Sequence, residues 1–394
     1  MANQQAVSRR TFVGGVATAI GAIGVGSPLD LLAQGTQGTP PRPRDQRAPD
    51  EYDTLAKLAN NENPYGPSDA VMQAMTKAFK YANRYGYPDG DVLQAIARHH
   101  DVPTSQVMIS AGSGEILDVC CTALLQDGKK IIGSDPSYEI LYQQASSLKA
   151  GDTIRIPLLP DYRQDIPAMI RATRKNHRDV GFVYLCNPNN PTGRIVTKDE
   201  VRQLLDGIPE DVPVLIDEAY HHFVEDPAYE TSLKYVKEGR AVIIARTFSK
   251  IAGLAGMRLG YAVATRDQLQ PLRNYATGSV NACVRWGAAA ALSDKANEEK
   301  VKRVTTELRK KTISDLKTLG YDCIPSETNF FMVHLKRPIQ PVIEEFRKKG
   351  VLVGRPFPPL NESLRVSIGT PDEMARFMVA FKEIMPGKAA SSGS

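Results

Sequence analysis

Short apolar runs recur through the middle of the chain, at residues 107–110, 130–133, 181–186, 212–216 and 241–245. Each is four to six residues long, is β-branched in character, and lacks the alternation of a half-exposed strand. Strands covered on both faces read this way. Between the runs lie amphipathic stretches such as 116–125 and 198–205. Strand, helix, strand in this rhythm predicts an α/β fold, a mostly parallel sheet sandwiched by helices. Ahead of it, a polar Asn- and Pro-rich entry leads to a helix expected over 69–81. Beyond residue 291 the text changes to a long charged helix over 297–319, a strand at 330–335, a helix over 339–349 and a strand at 364–368. That is the pattern of a smaller α+β domain. The expected organisation gives 51–85 and 291–386 to this small domain, built from both chain ends, and 86–290 to the large domain. Residues 387–394 form a small, polar tail.

The first 50 residues fit neither pattern. Ser8-Arg9-Arg10-Thr11-Phe12-Val13 precedes a Gly/Ala-rich apolar run from 14 to 25, and a Pro-, Gly- and Gln-rich stretch comes next. A charged start, a short apolar middle and a polar exit describe a signal peptide, and the paired arginines resemble the twin-arginine export signal. Residues 1–34 are therefore expected to be that signal and 35–50 a flexible linker. The expected location is periplasmic or otherwise exported, with the cytoplasm as the alternative. The apolar run is shorter than the ~20 residues of a membrane-spanning helix, so no stable span is expected.

Composition narrows the classes further. Of the 394 residues, 42% are hydrophobic and 24% charged, which excludes disorder for most of the length. The net charge of +5 is spread along the chain, so no nucleic-acid partner is expected. The five cysteines show no zinc spacing and read as buried thiols. Of the histidine pairs, His99-His100 is expected to be solvated, and His221-His222 to cap a strand end or line the site. No metal site is expected.

In an open parallel sheet, ligands sit beyond the carboxyl ends of the strands. The residues just past each run are therefore the place to look for chemistry. After 107–110 comes Gly112-Ser113-Gly114, small residues that let backbone N–H groups and a helix N-terminus meet an anion. It lacks the Gly-Lys-Ser/Thr ending of a nucleotide-binding loop. After 181–186 comes Asn187-Pro188-Asn189-Asn190-Pro191-Thr192-Gly193, an irregular loop presenting amide side chains. After 212–216 comes Asp217-Glu218-Ala219-Tyr220, where a carboxylate at the end of a buried strand requires a cation or donors. After 241–245 comes Arg246-Thr247-Phe248-Ser249-Lys250, with Arg258 eight residues on. A phosphate cradle, an amide loop, an acid and a lysine at one sheet end suit pyridoxal 5'-phosphate (PLP), which needs a lysine for its aldehyde and a carboxylate for its ring nitrogen.

These motifs, with Asn61-Glu62-Asn63-Pro64-Tyr65-Gly66-Pro67 and Tyr87-Pro88-Asp89, fall in the order and spacing of a known family. From about residue 55 to 381 the chain resembles the fold-type I, class I/II PLP-dependent aminotransferases, and within them the histidinol-phosphate aminotransferases. The resemblance implies a ping-pong exchange of an amino group between an L-amino acid or amino phosphate and a 2-oxo acid. It implies that Lys250 holds the cofactor aldehyde and moves the substrate proton, while Asp217 pairs with the ring nitrogen. Asn190 and Tyr220 would donate to the phenolic oxygen, and Tyr138 would stack on the ring. Backbone groups of Ser113 and Gly114, with Ser249 and Arg258, would hold the phosphate. Tyr87 would reach the phosphate of a neighbouring subunit, which implies a homodimer with shared sites. Arg365 would grip the substrate carboxylate, with Arg355 and Tyr65 also at the substrate.

Two departures stand out. The family's second substrate arginine comes one position late here, in Gly350-Val351-Leu352-Val353-Gly354-Arg355, and a one-residue shift along a strand turns a side chain to the opposite face. An export signal is also foreign to histidine biosynthesis. The alternatives left open are a decarboxylase of the threonine-phosphate type and an exported PLP-binding protein without turnover.

Overall fold

The structure, a computed structural model, describes residues 52–148 and 153–385. The expected signal, linker and tail lie outside the described residues. The chain enters through β1 (Ala56–Leu58). Seven strands come next: β2 (Val107–Ser110), β3 (Lys130–Asp135), β4 (Ile154–Pro157), β5 (Val180–Cys186), β6 (Val214–Asp217), β7 (Val242–Thr247) and β8 (Gly260–Ala264). They form one sheet in the order β2-β8-β7-β6-β5-β3-β4. The last four are β9 (Cys323–Ile324), β10 (Phe330–His334), β11 (Val351–Val353) and β12 (Ser363–Ser367).

Within the large sheet, neighbours from β7 through β4 pair in parallel, as the unalternating apolar runs require. Successive residues of one strand enter opposite apolar clusters. Val183, Leu185, Val214, Ile216, Val242 and Ile244 pack on one face, whereas Phe182, Tyr184, Cys186, Leu215, Ile243 and Ala245 pack on the other. Both faces are therefore dry, and helices such as Ser113–Leu124 and Lys198–Gly207 cover them.

Two strands of the large sheet escape the sequence pattern. β8 runs antiparallel to both β2 and β7. It is reached from β7 through residues 248–259, which contain one short 3-10 turn (Ala255–Met257) and no α-helix of the kind that usually carries a parallel crossover. Its Gly-Tyr-Ala-Val-Ala composition hides its strand character. β4 is an edge strand whose alternation and terminal Pro157 suit an exposed margin. There Arg155 chelates Glu139 through two hydrogen bonds of 2.9 and 2.8 Å.

The chain ends share the remaining sheets. β1 pairs in parallel with β11, placing Ala56 opposite Val351. β10 pairs antiparallel with β12 and β9, and Met332 lies opposite Arg365. A separate apolar cluster, including Phe346, Phe377 and Phe381, joins these strands to the helices Lys295–Thr318, Ile339–Lys348 and Pro371–Ile384.

Cys120, Cys121 and Cys186 are buried, Cys283 and Cys323 are half-buried, and all five are free thiols. His100 corrects the expectation of a solvated pair: it ends its helix facing inward, and its Nε2 lies 2.8 Å from the Tyr261 hydroxyl. The preceding His99 stays exposed, because adjacent helical positions point about 100° apart. Among the described residues, no helix is long and apolar enough to cross a membrane.

Candidate active site

The carboxyl ends of β2, β3, β5, β6 and β7 open at one edge of the large sheet. Asp217 terminates β6 and is 5% exposed. By strand parity it faces the same side as Leu215, Tyr184 and Cys186. Its carboxylate accepts from the Ala219 backbone N–H (3.1 Å) and the Tyr184 hydroxyl (3.3 Å). Burial outweighs these donors and the nearby Lys250 charge, and pushes the carboxyl up to about 6. A cationic partner would relieve that cost, as a protonated ring nitrogen does.

Lys250 lies beyond β7 in the loop that begins at Phe248. Its Nζ donates to the Asn60 carbonyl (3.3 Å) and lies 5.5 Å from the centre of the Tyr220 ring. Desolvation lowers its amine to about 8, and the Arg365 charge acts in the same direction. The Tyr220 hydroxyl accepts from Asn61 Nδ2 (3.0 Å), which leaves its own proton to donate. The ring packs edge-on against Phe330 at 5.1 Å, and burial raises the phenol above its ordinary range.

A second cluster forms where the helix Ser113–Leu124 begins. Gly112 is its N-cap, at φ +83°, and no side chain caps the helix there. A Cβ on Gly112 would run into the Arg258 guanidinium, so glycine leaves room at that point. Arg258 Nη1 donates to the Ser249 hydroxyl (3.3 Å) and the Ala255 carbonyl (2.9 Å), and Nη2 donates to the Ala111 carbonyl (3.4 Å). The Thr247 hydroxyl accepts from the Ser249 backbone N–H at 3.1 Å. An uncapped helix start, a guanidinium and a hydroxyl at one point make a dianion cradle. Arg258 holds φ +57°, a left-handed conformation uncommon outside glycine.

Arg365 comes from β12, in a different sheet, and is buried. Its Nη1 donates to Asn190 Oδ1 and its Nη2 to the Ala59 carbonyl, both at 2.7 Å. Since a guanidinium only donates, the Asn190 oxygen faces it and the amide N–H groups point elsewhere. Phe357 and Phe330 flank the guanidinium at 4.5 and 5.4 Å. Asn61, at φ +56°, ties this strand to the cofactor side: its N–H donates to Ser367 Oγ, which donates in turn to Asn61 Oδ1, each at 2.8 Å. Asn63 Nδ2 donates to the Ile251 carbonyl (2.9 Å), fixing the loop just beyond Lys250.

Lys250, Asp217, Tyr220, Asn190, Ser249, Arg258 and Arg365 are thus linked at one sheet end, with Ser113 and Gly114 at the helix start. Tyr138 sits half-buried at the turn after β3, against the apolar cluster containing Tyr184 and Cys186. Three residues lie differently. Tyr87 donates its hydroxyl to the Val280 carbonyl (2.9 Å), and Tyr65 is 44% exposed. Arg355 is exposed, with Nη1 donating to the Pro356 carbonyl (2.9 Å) and its guanidinium 4.4 Å from the Phe357 ring. Asn61, Tyr184, Phe330 and Phe357 had no assigned role in the sequence. Asn61 stood inside a recognisable motif, whereas Tyr184 and Phe330 lay within expected strands. Among the described residues, no group of three or more His, Cys, Asp or Glu side chains could hold a metal ion.

A lysine with a lowered pKa, a costly buried acid and an anion cradle define a PLP-dependent enzyme of the fold-type I class. Over residues 53–381 the sequence matches the family described as Aminotransferase class I and II. A histidinol-phosphate aminotransferase of Moorella thermoacetica is 37% identical over 84% of this chain and 86% of its own length. An aromatic amino acid aminotransferase of Cutibacterium acnes is 34% identical over 85% and 94%. The crystal structure of histidinol-phosphate aminotransferase from Sinorhizobium meliloti in complex with pyridoxal-5'-phosphate shares the fold, with a TM-score of 0.80, 24% identity, and coverage of 92% and 99%. The chain belongs to the class I and II aminotransferases, and its cofactor is PLP.

The cradle yields a prediction. Gly112→Ala is expected to displace the Arg258 side chain and weaken PLP binding at least about tenfold, since charge-assisted contacts to a dianion are lost. Binding of pyridoxal, which lacks the phosphate, is expected to change little. Equal losses for both ligands in a calorimetric titration would rule out the phosphate assignment.

Proposed function

We propose that this enzyme exchanges an amino group between an L-amino acid or amino phosphate of the histidinol-phosphate kind and a 2-oxo acid. The names of the relatives support this substrate range, which extends to aromatic amino acids. The observation that carries the site assignment is the meeting of Asp217 and Lys250, from two strand ends of the large sheet, with Arg365 from the middle of β12 in another sheet. Bound PLP supplies a ring that accepts carbanion charge. In this proposal Lys250 holds the cofactor aldehyde and moves the proton at the substrate Cα. Asp217 keeps the ring-nitrogen proton in place. Asn190, through the amide N–H groups turned away from Arg365, and Tyr220 donate to the phenolic oxygen, while Tyr138 covers the ring. Ser113, Gly114, Ser249 and Arg258 hold the phosphate. Arg365 binds the substrate carboxylate through its guanidinium fork. Arg355 and Tyr65 stand at the open, substrate end.

The lysine assignment has a pH signature. An amine attacks an aldehyde only when neutral, so capture of PLP by the cofactor-free protein is expected to accelerate as pH rises through about 8 and then level off. Borohydride reduction of the holoenzyme is expected to label the peptide containing Lys250, and Lys250→Ala to abolish transamination in a folded protein. Label on another lysine, or a capture midpoint near 10.5, the ordinary lysine value, would refute the assignment. Release of CO₂ in place of a 2-oxo product would assign the decarboxylase alternative.

Two further readings belong to this proposal. The enzyme works as a homodimer in which Tyr87 of one subunit completes the phosphate site of the other. Exposed Met72, Phe79 and Tyr85, in the stretch preceding Tyr87, support an apolar contact there. Sedimentation is expected to show a dimer, and a monomer binding PLP at full affinity would exclude shared sites. The enzyme is also exported through the twin-arginine route, supported by Arg9-Arg10. Replacing both arginines by lysine is expected to retain the protein in the cytoplasm, and undiminished export would argue against that route.

A further inference from the structure

Behind the site, on the face of the sheet opposite Asp217, lies a buried ion pair that has no part in the amino-group chemistry. Glu218 is 1% exposed and Arg246 4% exposed. Strand parity explains the separation. Asp217 continues the face of Leu215, whereas Glu218 continues that of Ile216 and Arg246 that of Ile244. Each member stands next to, or close before, a residue of the site: Glu218 comes directly after Asp217, and Arg246 precedes Ser249 by three residues and Lys250 by four.

The Glu218 carboxylate is fully engaged. Oε1 accepts from the Ser232 backbone N–H (2.7 Å). Oε2 accepts from Thr231 Oγ1 (2.8 Å), Arg246 Nε (3.1 Å) and Arg246 Nη2 (2.7 Å). Arg246 Nη2 also donates to Thr231 Oγ1 (2.6 Å), so the hydroxyl accepts from the arginine and donates to the acid. The Glu218 backbone N–H donates to the Ala245 carbonyl (2.9 Å), carrying the β6–β7 pairing one residue beyond β6. In that pairing Asp217 lies opposite Ala245. Arg246 in turn lies opposite Tyr261 of β8, and the next pair, Thr247–Gly260, brings β8 against the phosphate cradle. A Cβ on Gly260 would run into the Ser113 backbone nitrogen.

We propose that the Arg246–Glu218 pair, bridged by Thr231, is a positioning clamp that sets the end of β6 against the end of β7, and so fixes the spacing of Asp217, Lys250 and the phosphate cradle. Apolar side chains could hold two strand ends together with less desolvation cost, because a buried ion pair is a weak source of stability. What the guanidinium fork adds is direction: two N–H groups and one hydroxyl converge on the single oxygen Glu218 Oε2, which restricts the relative placement of the two strands. A displacement of about 1 Å between reacting groups lowers a rate about 100-fold, so placement at this point governs turnover. The substrate carboxylate is untouched by the clamp, since Arg365 arrives from another sheet.

The inference rests on the proposed site assignment, and its test separates the two. Thr231→Val removes only the shared hydroxyl. Glu218→Gln puts an amide N–H₂ among four donors and leaves the Arg246 charge without its counter-ion. Three readouts are taken on protein shown to be folded by far-ultraviolet circular dichroism: PLP affinity of the cofactor-free chain, circular dichroism of the cofactor band per bound PLP, and the split between kcat and KM. Glu218→Gln is expected to weaken PLP binding about tenfold, to reduce the cofactor-band signal, and to lower kcat about 100-fold, with KM for the amino donor within twofold of the parent. Thr231→Val is expected to move the same quantities in the same direction by less. Should Glu218→Gln fail to fold, Thr231→Val alone decides the question. A fall in melting temperature with affinity, cofactor-band signal and kcat all at parent values would make the pair merely structural and overturn the proposal. Failure of the parent protein to bind PLP would overturn the site assignment instead.

Discussion

A sheet that is dry on both faces can place ionisable groups near a ligand only where its strands end. That constraint governs this enzyme. The interiors of β5, β6 and β7 alternate between two apolar clusters, and charged side chains, Asp217 and Arg246, come only toward their carboxyl ends. The first residues free of that packing are Asn187, Asp217 and, beyond Thr247, Ser249 and Lys250. Four parallel strand ends share one edge, so a lysine, an acid, an amide loop and a helix start converge without being near one another in sequence. Burial, the same constraint, also tunes the groups. It raises Asp217 to about 6 and lowers Lys250 to about 8, in each case disfavouring the charged form until a partner arrives.

The Arg365 end depends on a different sheet. Arg365 reaches the site because β12 pairs with β10, and because Asn190 and Ala59 accept from its terminal nitrogens. Asn61 closes the link: it bonds Tyr220 beside Lys250 and Ser367 on β12. One left-handed asparagine therefore joins the Lys250 side to the Arg365 side. The Asn61–Pro67 motif reads in these contacts as a wall of the site, with Gly253 packed so closely on the Gly66 backbone that a Cβ there would overlap it.

Much of this is legible in the residues alone. The buried parallel strands declare themselves by missing alternation, and their carboxyl ends point to Gly112, Asn190, Asp217 and Lys250. What stays hidden is whatever the local pattern does not encode. β8 is made of Gly, Tyr, Ala and Val, and it returns antiparallel through a connection without an α-helix. His100 looks like a helix-end surface residue until Tyr261 of β8 is placed beside it. Tyr184 reads as a core aromatic, although its hydroxyl reaches Asp217. Glu218 and Arg246 sit within motifs that the sequence does flag, yet their pairing across two strands is a property of register alone.

The late arginine shows why register has to be traced to the end of a strand and no further. Counting along β11 predicts that an extra residue turns Arg355 to the opposite face. β11, however, stops at Val353, and Gly354 lies so close to β12 that its N–H donates to the Arg365 carbonyl at 2.9 Å. A Cβ at position 354 would crowd that carbonyl, so glycine suits this position. Beyond it the alternation no longer applies, and the direction of Arg355 is set by what it meets. It meets Phe357, whose ring centre lies 4.4 Å from the Arg355 guanidinium and 4.5 Å from that of Arg365. A guanidinium near an aromatic face is held by the ring quadrupole, and a ring with two cations beside it ties the position of each to the same residue. The exposed arginine and the buried one therefore lie against the same Phe357 ring.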